Sequence, residues 1–159
     1  YTQPALLAAR GRGDGATVLA AALTQRPGLL RAVVVAGGRY DLLRLARGPV
    51  GEYDVPGFGS VQDRAQFDAL RALSPLAAVR DGARYPAVLL LAGDRDGRVD
   101  PAQSRKMAAR LQQADPSGRA ILLRTDVFSG QPPQASLSGA IDQATDEYGF
   151  LLHEVVAAQ

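Results

Sequence analysis

Four short apolar runs, separated by amphipathic segments, set the pattern of this 159-residue chain. The runs are rich in Val, Leu, Ile and Ala and show almost no alternation of polar positions. Continuous runs of this kind are typical of parallel strands that are buried on both faces. We therefore predict strands at Leu6–Arg10, Arg31–Ala36, Ala87–Ala92 and Ala120–Arg124.

The segments between these runs mostly carry apolar residues at helical spacing and end near proline or glycine. The predicted helices are Asp14–Gln25, Gln62–Leu73, Pro101–Gln113 with Asp100 as N-cap, and a last one from about Gly139 to Ala157. The stretch from Gly37 to Ser60 is rich in Gly and Pro and is predicted to be mostly irregular, with a short helix near Tyr40–Ala46. This alternation predicts an α/β fold in three layers, with a mostly parallel sheet, in a single domain over residues 1–159.

The junction between the first strand and the first helix has the pattern of a nucleophile elbow. Gly11-Arg12-Gly13-Asp14-Gly15 places small residues at both ends of a five-residue corner. In a G-x-S-x-G elbow the turn is so sharp that larger residues at its ends collide with neighbouring backbone, and the middle residue projects above the sheet. Here the middle residue is Gly13, which has no side chain that could attack a substrate.

The amino-acid composition excludes several kinds of functional site. The absence of cysteine excludes disulfides and thiolate metal sites, and a single histidine, His153, excludes a multi-histidine metal site. The arginines are scattered and the net charge is only +2, so nucleic-acid binding is not supported. No apolar run reaches the roughly 18 residues of a membrane span, and no secretory signal is visible. We expect a cytoplasmic protein without a membrane partner, with a periplasmic location left open.

Several segments together resemble the C-terminal part of the α/β-hydrolase catalytic domain in the prolyl oligopeptidase family of serine peptidases. The resemblance extends in order and spacing from Tyr1 to Leu152. Its most specific segments are Leu23–Pro27, Leu30–Val34, Ser74–Leu76, Arg84–Leu90 and Asp94–Pro101. The resemblance implies an α/β-hydrolase fold, a peptide substrate or ligand, no cofactor, and a catalytic triad in the chain order Ser, Asp, His.

The resemblance also implies what stands at each catalytic position. Asp96 falls on the triad aspartate, in the loop after the third strand, and Arg98 falls on a substrate-binding arginine. The nucleophile position falls on Gly13 and the base position on Gln131. Glycine supplies no nucleophile, and glutamine is not a usable base near neutral pH. We therefore predict a catalytically inactive family member, with binding of peptides or partner chains as the alternative function.

The implied substrate pocket departs from the family pattern as well. The resemblance implies a tryptophan near Gly51–Gly59 that stacks on the substrate proline, but the chain contains no tryptophan. Asp54 stands at about that place, and Arg39 replaces an apolar residue two positions before Asp41. These charges oppose the binding of a proline ring. The backbone N–H of Asp14 remains as one donor of an oxyanion hole.

The resemblance covers only part of the family's architecture. The strands that lie beyond the elbow strand in the family, and the propeller that covers its active site, are missing from the sequence. If the four strands pair in chain order, Leu6–Arg10 becomes an exposed apolar sheet edge, which favours strand pairing or aggregation. We therefore expect a fragment that is stable with its missing half or by self-association.

Four other functional interpretations of these residues are possible from the sequence, and each has a simpler explanation. Gly11-x-Gly13-x-x-Ala16 fits a dinucleotide-binding turn, but no acidic residue ends the next strand. Asp14 could act as a carboxylate nucleophile, although it suits an N-cap role better. His153 could leave the last helix to serve as a base, although a structural role there is simpler. Asp94 and Asp96 could hold a metal, but local ion pairs and turn hydrogen bonds explain them better, so no metal site is predicted.

Overall fold

A computed structural model describes residues 1–48, 50–126 and 136–156, in which strands and helices alternate. The strands are β1 (Ala8–Arg12), β2 (Ala32–Ala36), β3 (Ala87–Gly93) and β4 (Ile121–Asp126). The α-helices are α1 (Asp14–Gln25), α2 (Gly51–Phe58), α3 (Arg64–Leu73), α4 (Pro75–Ala78), α5 (Ala102–Ala114) and α6 (Leu137–Val156). Short 3-10 helices occupy Pro4–Leu6, Pro27–Leu29 and Leu42–Arg47.

The strands form one parallel sheet and pair in chain order, β1-β2-β3-β4. In the register of the sheet, Ala32 of β2 lies between Ala8 of β1 and Ala87 of β3. Every residue of β2 and β3 is buried, because each strand has a neighbour on both sides and helices on both faces. This burial explains their unbroken apolar sequences and confirms the predicted α/β fold.

Two apolar layers hold the helices on the sheet. One face of β2 and β3, formed by Val33, Val35, Val88 and Leu90, packs against Ala16, Ala20 and Leu23 of α1 and Met107, Ala108 and Leu111 of α5. The opposite face, formed by Val34, Ala36, Leu89 and Leu91, packs against Phe150 and Leu151 of α6. The resulting three layers place the C-terminal ends of β1, β2 and β3 side by side, where ligands bind in sheets of this kind.

The first strand differs from its predicted position. Pro4, whose fixed φ suits the start of a turn, begins a 3-10 helix that takes up Leu6, and β1 therefore starts later, at Ala8. The free edge of the sheet is consequently not the predicted apolar run, because Arg10 and Arg12 lie on it. Both arginines bind the carboxylate of Glu147 in α6, which is completely buried.

The Gly- and Pro-rich segment between β2 and α3 is more regular than predicted. The 3-10 helix Leu42–Arg47 corresponds to the short helix expected near Tyr40–Ala46, but α2 was expected to be irregular. Pro56 lies inside α2, and proline is among the residues least compatible with a helix interior. Contacts with the rest of the chain therefore decide the conformation of this segment.

The last helix, α6, begins at Leu137 rather than at the predicted Gly139. It leaves five large apolar side chains exposed: Leu137, Ile141, Tyr148, Leu152 and Val156. Within the described ranges, no helix combines the length and apolar character needed to cross a bilayer.

Candidate active site

Gly13 forms the sharp turn between β1 and α1. Its backbone has φ 55° and ψ −124°, a conformation that a residue with a side chain adopts only under strain. The Gly13 N–H donates to the carbonyl of Ala36 at 2.9 Å, which fastens the turn to the end of β2. A Cβ placed on Gly13 would meet no atom within 4 Å. The turn therefore keeps the sharp geometry and the open space that a nucleophile elbow requires, without the nucleophile.

The two outer glycines of the corner are not equivalent. A Cβ on Gly11 would lie 2.7 Å from the carbonyl oxygen of Gly15, so no larger residue fits there without a backbone shift. A Cβ on Gly15 would meet nothing within 4 Å, and Gly15 already belongs to α1. The expectation that both ends of the corner must be small is therefore right for Gly11 and wrong for Gly15.

Asp14 is the first residue of α1, and Gly13 is the N-cap, so the N-cap role expected for Asp14 is wrong. The side chain of Asp14 is 79% exposed, and its Oδ1 lies 3.2 Å from Nη1 of Arg39. Because Asp14 begins a helix, its backbone N–H has no acceptor within that helix. This N–H is the group for which we predicted a role in an oxyanion hole.

Asp96 lies in the turn between β3 and α5, at the same end of the sheet as Gly13. Its carboxylate is buried, and its Oδ1 accepts hydrogen bonds from the backbone N–H groups of Arg98 (2.8 Å) and Val99 (3.2 Å). These bonds fix the carboxylate within the turn. Asp94 instead binds Arg105 at 2.6 Å. Residues 1–48, 50–126 and 136–156 hold no group of three or more His, Cys, Asp or Glu side chains suited to a metal ion.

Arg39 and Asp54, both predicted to stand in the substrate pocket, form a two-pronged ion pair. Nε of Arg39 donates to Oδ2 of Asp54 at 3.0 Å, and Nη2 lies 2.7 Å from Oδ1. The two side chains are only 15% and 11% exposed, and pairs with this fork geometry are among the stronger ones in proteins. The Phe58 ring lies 5.6 Å from the guanidinium, and the Arg39 N–H donates to Oγ1 of Thr17. Arg39 thus connects α1, next to the elbow, with α2.

The two side chains of this ion pair also line a small cavity. It has a volume of about 10 Å³, which is at most enough for one water molecule. The residues that line it are Arg39, Leu45, Gly48, Asp54, Arg98, Val99, Asp100 and Gln103. Three of the predicted substrate-binding residues, Arg39, Asp54 and Arg98, therefore lie around one cavity, and that cavity has no room for a side chain of a ligand.

Gln103, on α5, organises this cavity and was missed by sequence reasoning. Its Oε1 accepts hydrogen bonds from the backbone N–H groups of Tyr40 (2.9 Å) and Asp41 (2.7 Å), and the residue is buried. These bonds hold the chain that follows β2, including Arg39, in place. A glutamine in an amphipathic helix carries no sequence signal for such a role, because the same residue is usual on a solvated face.

Of the two residues considered for the role of base, the structure describes only His153. Gln131, at the predicted base position, lies outside the described residues. His153 is an exposed residue in the last part of α6, in agreement with the simpler, structural interpretation.

Comparison with known proteins gives relatives along nearly the whole chain. The family model described as the prolyl oligopeptidase family matches residues 1–153. The prolyl endopeptidase of Dictyostelium discoideum is 34% identical over 153 residues, which are 94% of this chain and 20% of the relative. The prolyl endopeptidase of Elizabethkingia meningoseptica is 29% identical over 156 residues, which are 98% of this chain and 22% of the relative. The chain thus spans about a fifth of the length of these curated relatives.

Solved structures of prolyl oligopeptidases share the fold of this chain. A prolyl endopeptidase structure matches with a TM-score of 0.87 and 32% identity, covering 97% of this chain and 21% of that chain. Prolyl oligopeptidase B from Galerina marginata, solved with a 35-residue substrate, matches with a TM-score of 0.88 and 27% identity, covering 96% of this chain and 22% of that one. With a family model that matches almost from end to end and an α/β-hydrolase fold in common, the chain belongs to the prolyl oligopeptidase family.

Proposed function

We propose that this chain is a peptidase domain of its family that does not cleave peptide bonds. The observation that carries the proposal is Gly13, which forms the elbow turn but has no side chain. Peptide hydrolysis by this mechanism needs a nucleophile, a base within reach of it, and donors for the oxyanion. Loss of the nucleophile or the base alone lowers kcat about a million-fold in a serine peptidase. With Gly13 and Gln131 at these positions, we expect no measurable hydrolysis.

The pocket supports the same proposal. The names of the relatives point to cleavage next to proline, and an apolar pocket is what a proline ring needs. The resemblance puts Arg39 and Asp54 at this pocket, and in this chain the two side chains form an ion pair. A proline ring placed against these two groups would strip water from charges without offering a hydrogen bond in return. We therefore propose that this chain does not select proline.

Two assays test the loss of activity. The purified chain should release no fluorophore from a Gly-Pro reporter, and release that scales with protein concentration across preparations would overturn the proposal. Because the chain spans a fifth of its relatives, the second assay grafts it into the Elizabethkingia prolyl endopeptidase in place of the matching segment. The graft should be inactive. Recovery of hydrolysis in the graft carrying both Gly13→Ser and Gln131→His would show that the rest of the site kept its geometry, whereas continued inactivity would show that the pocket is lost as well.

Binding of a partner chain, including a second copy of this chain, is the second candidate function. It is favoured by the flank beside β1, a strand that pairs on one side only within the described part of the chain. Next to this edge, Tyr148 of α6 lies over the guanidinium of Arg10 at 5.5 Å, and further apolar side chains of α6 are exposed. Free sheet edges and contiguous apolar surface are features of association sites.

Light scattering over a range of concentrations tests self-association. The chain should form dimers or larger species, and Leu152→Glu on α6 should shift it toward the monomer. Leu73→Glu is a matched control, because Leu73 is similarly exposed but lies at the end of α3. A chain that is monomeric at every concentration would argue against self-association.

A further inference from the structure

The helix α2 is intrinsically weak. It is eight residues long, with the sequence GEYDVPGF, and contains Pro56 in its interior. Helices of this length do not persist on their own in water, and proline and glycine lower the helical propensity further. Contacts with the rest of the chain must therefore hold α2 in place.

These contacts are at the two ends and in the middle of α2. At the first end, Gly51 packs so closely on Ala46 that an added Cβ would lie 2.5 Å from the Ala46 carbonyl oxygen. At the other end, Phe58 packs on the apolar cluster around Leu42, Leu45 and Leu70. The middle is held by the ion pair of Asp54 with Arg39, while the neighbouring side chain of Tyr53 is 82% exposed.

We propose that α2 is a gate over the cavity lined by Arg39, Asp54 and Val99, and that the Arg39–Asp54 ion pair is its latch. With the gate closed, the cavity has a volume of about 10 Å³ and admits no ligand side chain. Movement of α2 away from Arg39 removes one wall of this cavity and exposes Val99 to solvent. In the closed state, two residues of this chain therefore block access of a ligand to the cavity.

The surroundings of the latch allow it to open reversibly. Arg39 contacts Asp14 at 3.2 Å as well as Asp54, and its backbone N–H is bound to Thr17. Both of these partners belong to α1, which does not move with α2. When Asp54 leaves with α2 and becomes hydrated, Arg39 keeps an anionic partner, so opening does not leave an unpaired charge in the protein. Beyond α2, Gly59 has φ 115°, a conformation that glycine adopts without strain and that makes it a suitable hinge.

The absence of cysteine from the chain makes access to the cavity measurable. Val99 lines the cavity and is 6% exposed, so a thiol in Val99→Cys reacts with a neutral thiol reagent only after opening. Ala108→Cys is the matched reporter of global unfolding, because Ala108 is 3% exposed in the main core on α5. In the otherwise unchanged chain, the thiol at 99 should react faster than the thiol at 108.

Asp54→Asn tests the latch, because it removes the charge and keeps the shape of the side chain. It should accelerate labelling at position 99 by about tenfold or more, since it breaks a mostly buried ion pair, and labelling at 108 by no more than the same factor, because global unfolding breaks this pair too. Asp68→Asn is the control: the same chemical change in an exposed pair with Arg64 should change neither rate. Arg39→Gln should accelerate labelling at 99 as Asp54→Asn does, and the two changes together should add little more.

Three results would overturn the proposal. The first is equal labelling rates at positions 99 and 108 in the chain without Asp54→Asn, which would mean that the cavity opens only by global unfolding. The second is a change of less than about twofold at position 99 in Asp54→Asn, because the pair would then not hold the gate. The third is full additivity of Arg39→Gln and Asp54→Asn, which would show that the two residues act independently. The first comparison requires no variant of the latch, so it stands even where Asp54→Asn folds poorly.

Discussion

The carboxylate of Glu147 binds Arg12, the residue that immediately precedes the elbow glycine. Oε1 of Glu147 lies 2.5 Å from Nη2 of Arg12, and the other carboxylate oxygen binds Arg10. Gln143, one turn earlier in α6, donates to the same Oε1 at 2.6 Å. Through these contacts α6 holds the edge strand and the entrance to the elbow, and a completely buried carboxylate obtains the partners that it needs.

Glu147→Gln keeps the shape of this side chain and removes its charge. The two arginines are about a third exposed, so water compensates them in part, but two charge-assisted hydrogen bonds are weakened in the interior. We expect the free energy of unfolding to fall by about 1–3 kcal/mol, measured by urea denaturation. Asp81→Asn, which weakens a pair whose carboxylate is exposed, should change it by less than about 0.5 kcal/mol. A Glu147→Gln variant as stable as the parent chain would contradict the role assigned to this contact.

Gly11→Ala and Gly15→Ala, two identical changes in one corner, should have different effects on stability. The new Cβ at position 11 meets the backbone of Gly15 at 2.7 Å, so Gly11→Ala should lower the free energy of unfolding by about 1–3 kcal/mol. At position 15 the Cβ meets no atom within 4 Å, and alanine favours the helix, so stability should stay the same or rise by up to about 1 kcal/mol. Thermal or urea unfolding measures both, and equal losses at the two positions would contradict the packing described for the corner.

Gly13→Ser should fold but remain inactive. The φ of 55° is unfavourable for a residue with a side chain, which we expect to lower the free energy of unfolding by about 1–2 kcal/mol. The added side chain itself has open space around its Cβ. Gly28→Ser is the control, because Gly28 also has open space but no positive φ, and it should have a smaller effect. Hydrolysis of the reporter by Gly13→Ser alone would show that a base other than a residue at position 131 is present.

Tyr40 and Tyr85 are both fully buried but differ in the environment of the hydroxyl. Within the described residues the Tyr40 hydroxyl makes no hydrogen bond of acceptable geometry, whereas the Tyr85 hydroxyl accepts from the Arg80 N–H at 2.8 Å. Tyr40→Phe should therefore leave the free energy of unfolding unchanged or raise it by up to about 1 kcal/mol. Tyr85→Phe should lower it by about 1–2 kcal/mol, because the Arg80 N–H loses its acceptor. Urea denaturation near neutral pH distinguishes the two variants, and a larger loss for Tyr40→Phe would contradict this assignment.

The same tyrosine makes stability depend on alkaline pH. Burial raises the pKa of Tyr40 well above its usual value, and the Gly38 backbone and the Ser104 side chain, which lie near the hydroxyl without reaching good hydrogen-bond geometry, offset this effect only in part. The unfolded chain therefore loses this proton near pH 10, while the folded chain keeps it. The contribution of Tyr40 is fully present below about pH 10 and is lost as the pH rises further. Urea midpoints from pH 8 to pH 11 should fall less steeply for Tyr40→Phe, and identical slopes would contradict the shift.

The sequence by itself determined the parallel sheet, the position of the elbow and the absence of a nucleophile there. The runs that became β2 and β3 are apolar at every position because both faces of these strands are covered, and this signal is local and readable in the chain. The missing side chain at Gly13 is equally a property of one residue. These features follow from residue type and periodicity, without reference to distant contacts.

Only the tertiary structure decided how the edge strand β1 is fastened, the helical form of α2 and the small size of the cavity. β1 is fastened by Glu147, which is more than a hundred residues away in sequence, and α2 is held against its own low helical propensity by contacts with Arg39 and an apolar cluster. Arg39 and Asp54 could be recognised as charges in a pocket, but their mutual neutralisation depends on a geometry that neither residue encodes locally. Long-range pairing of this kind is set by the packing of whole elements, so it becomes visible only once those elements are placed in space.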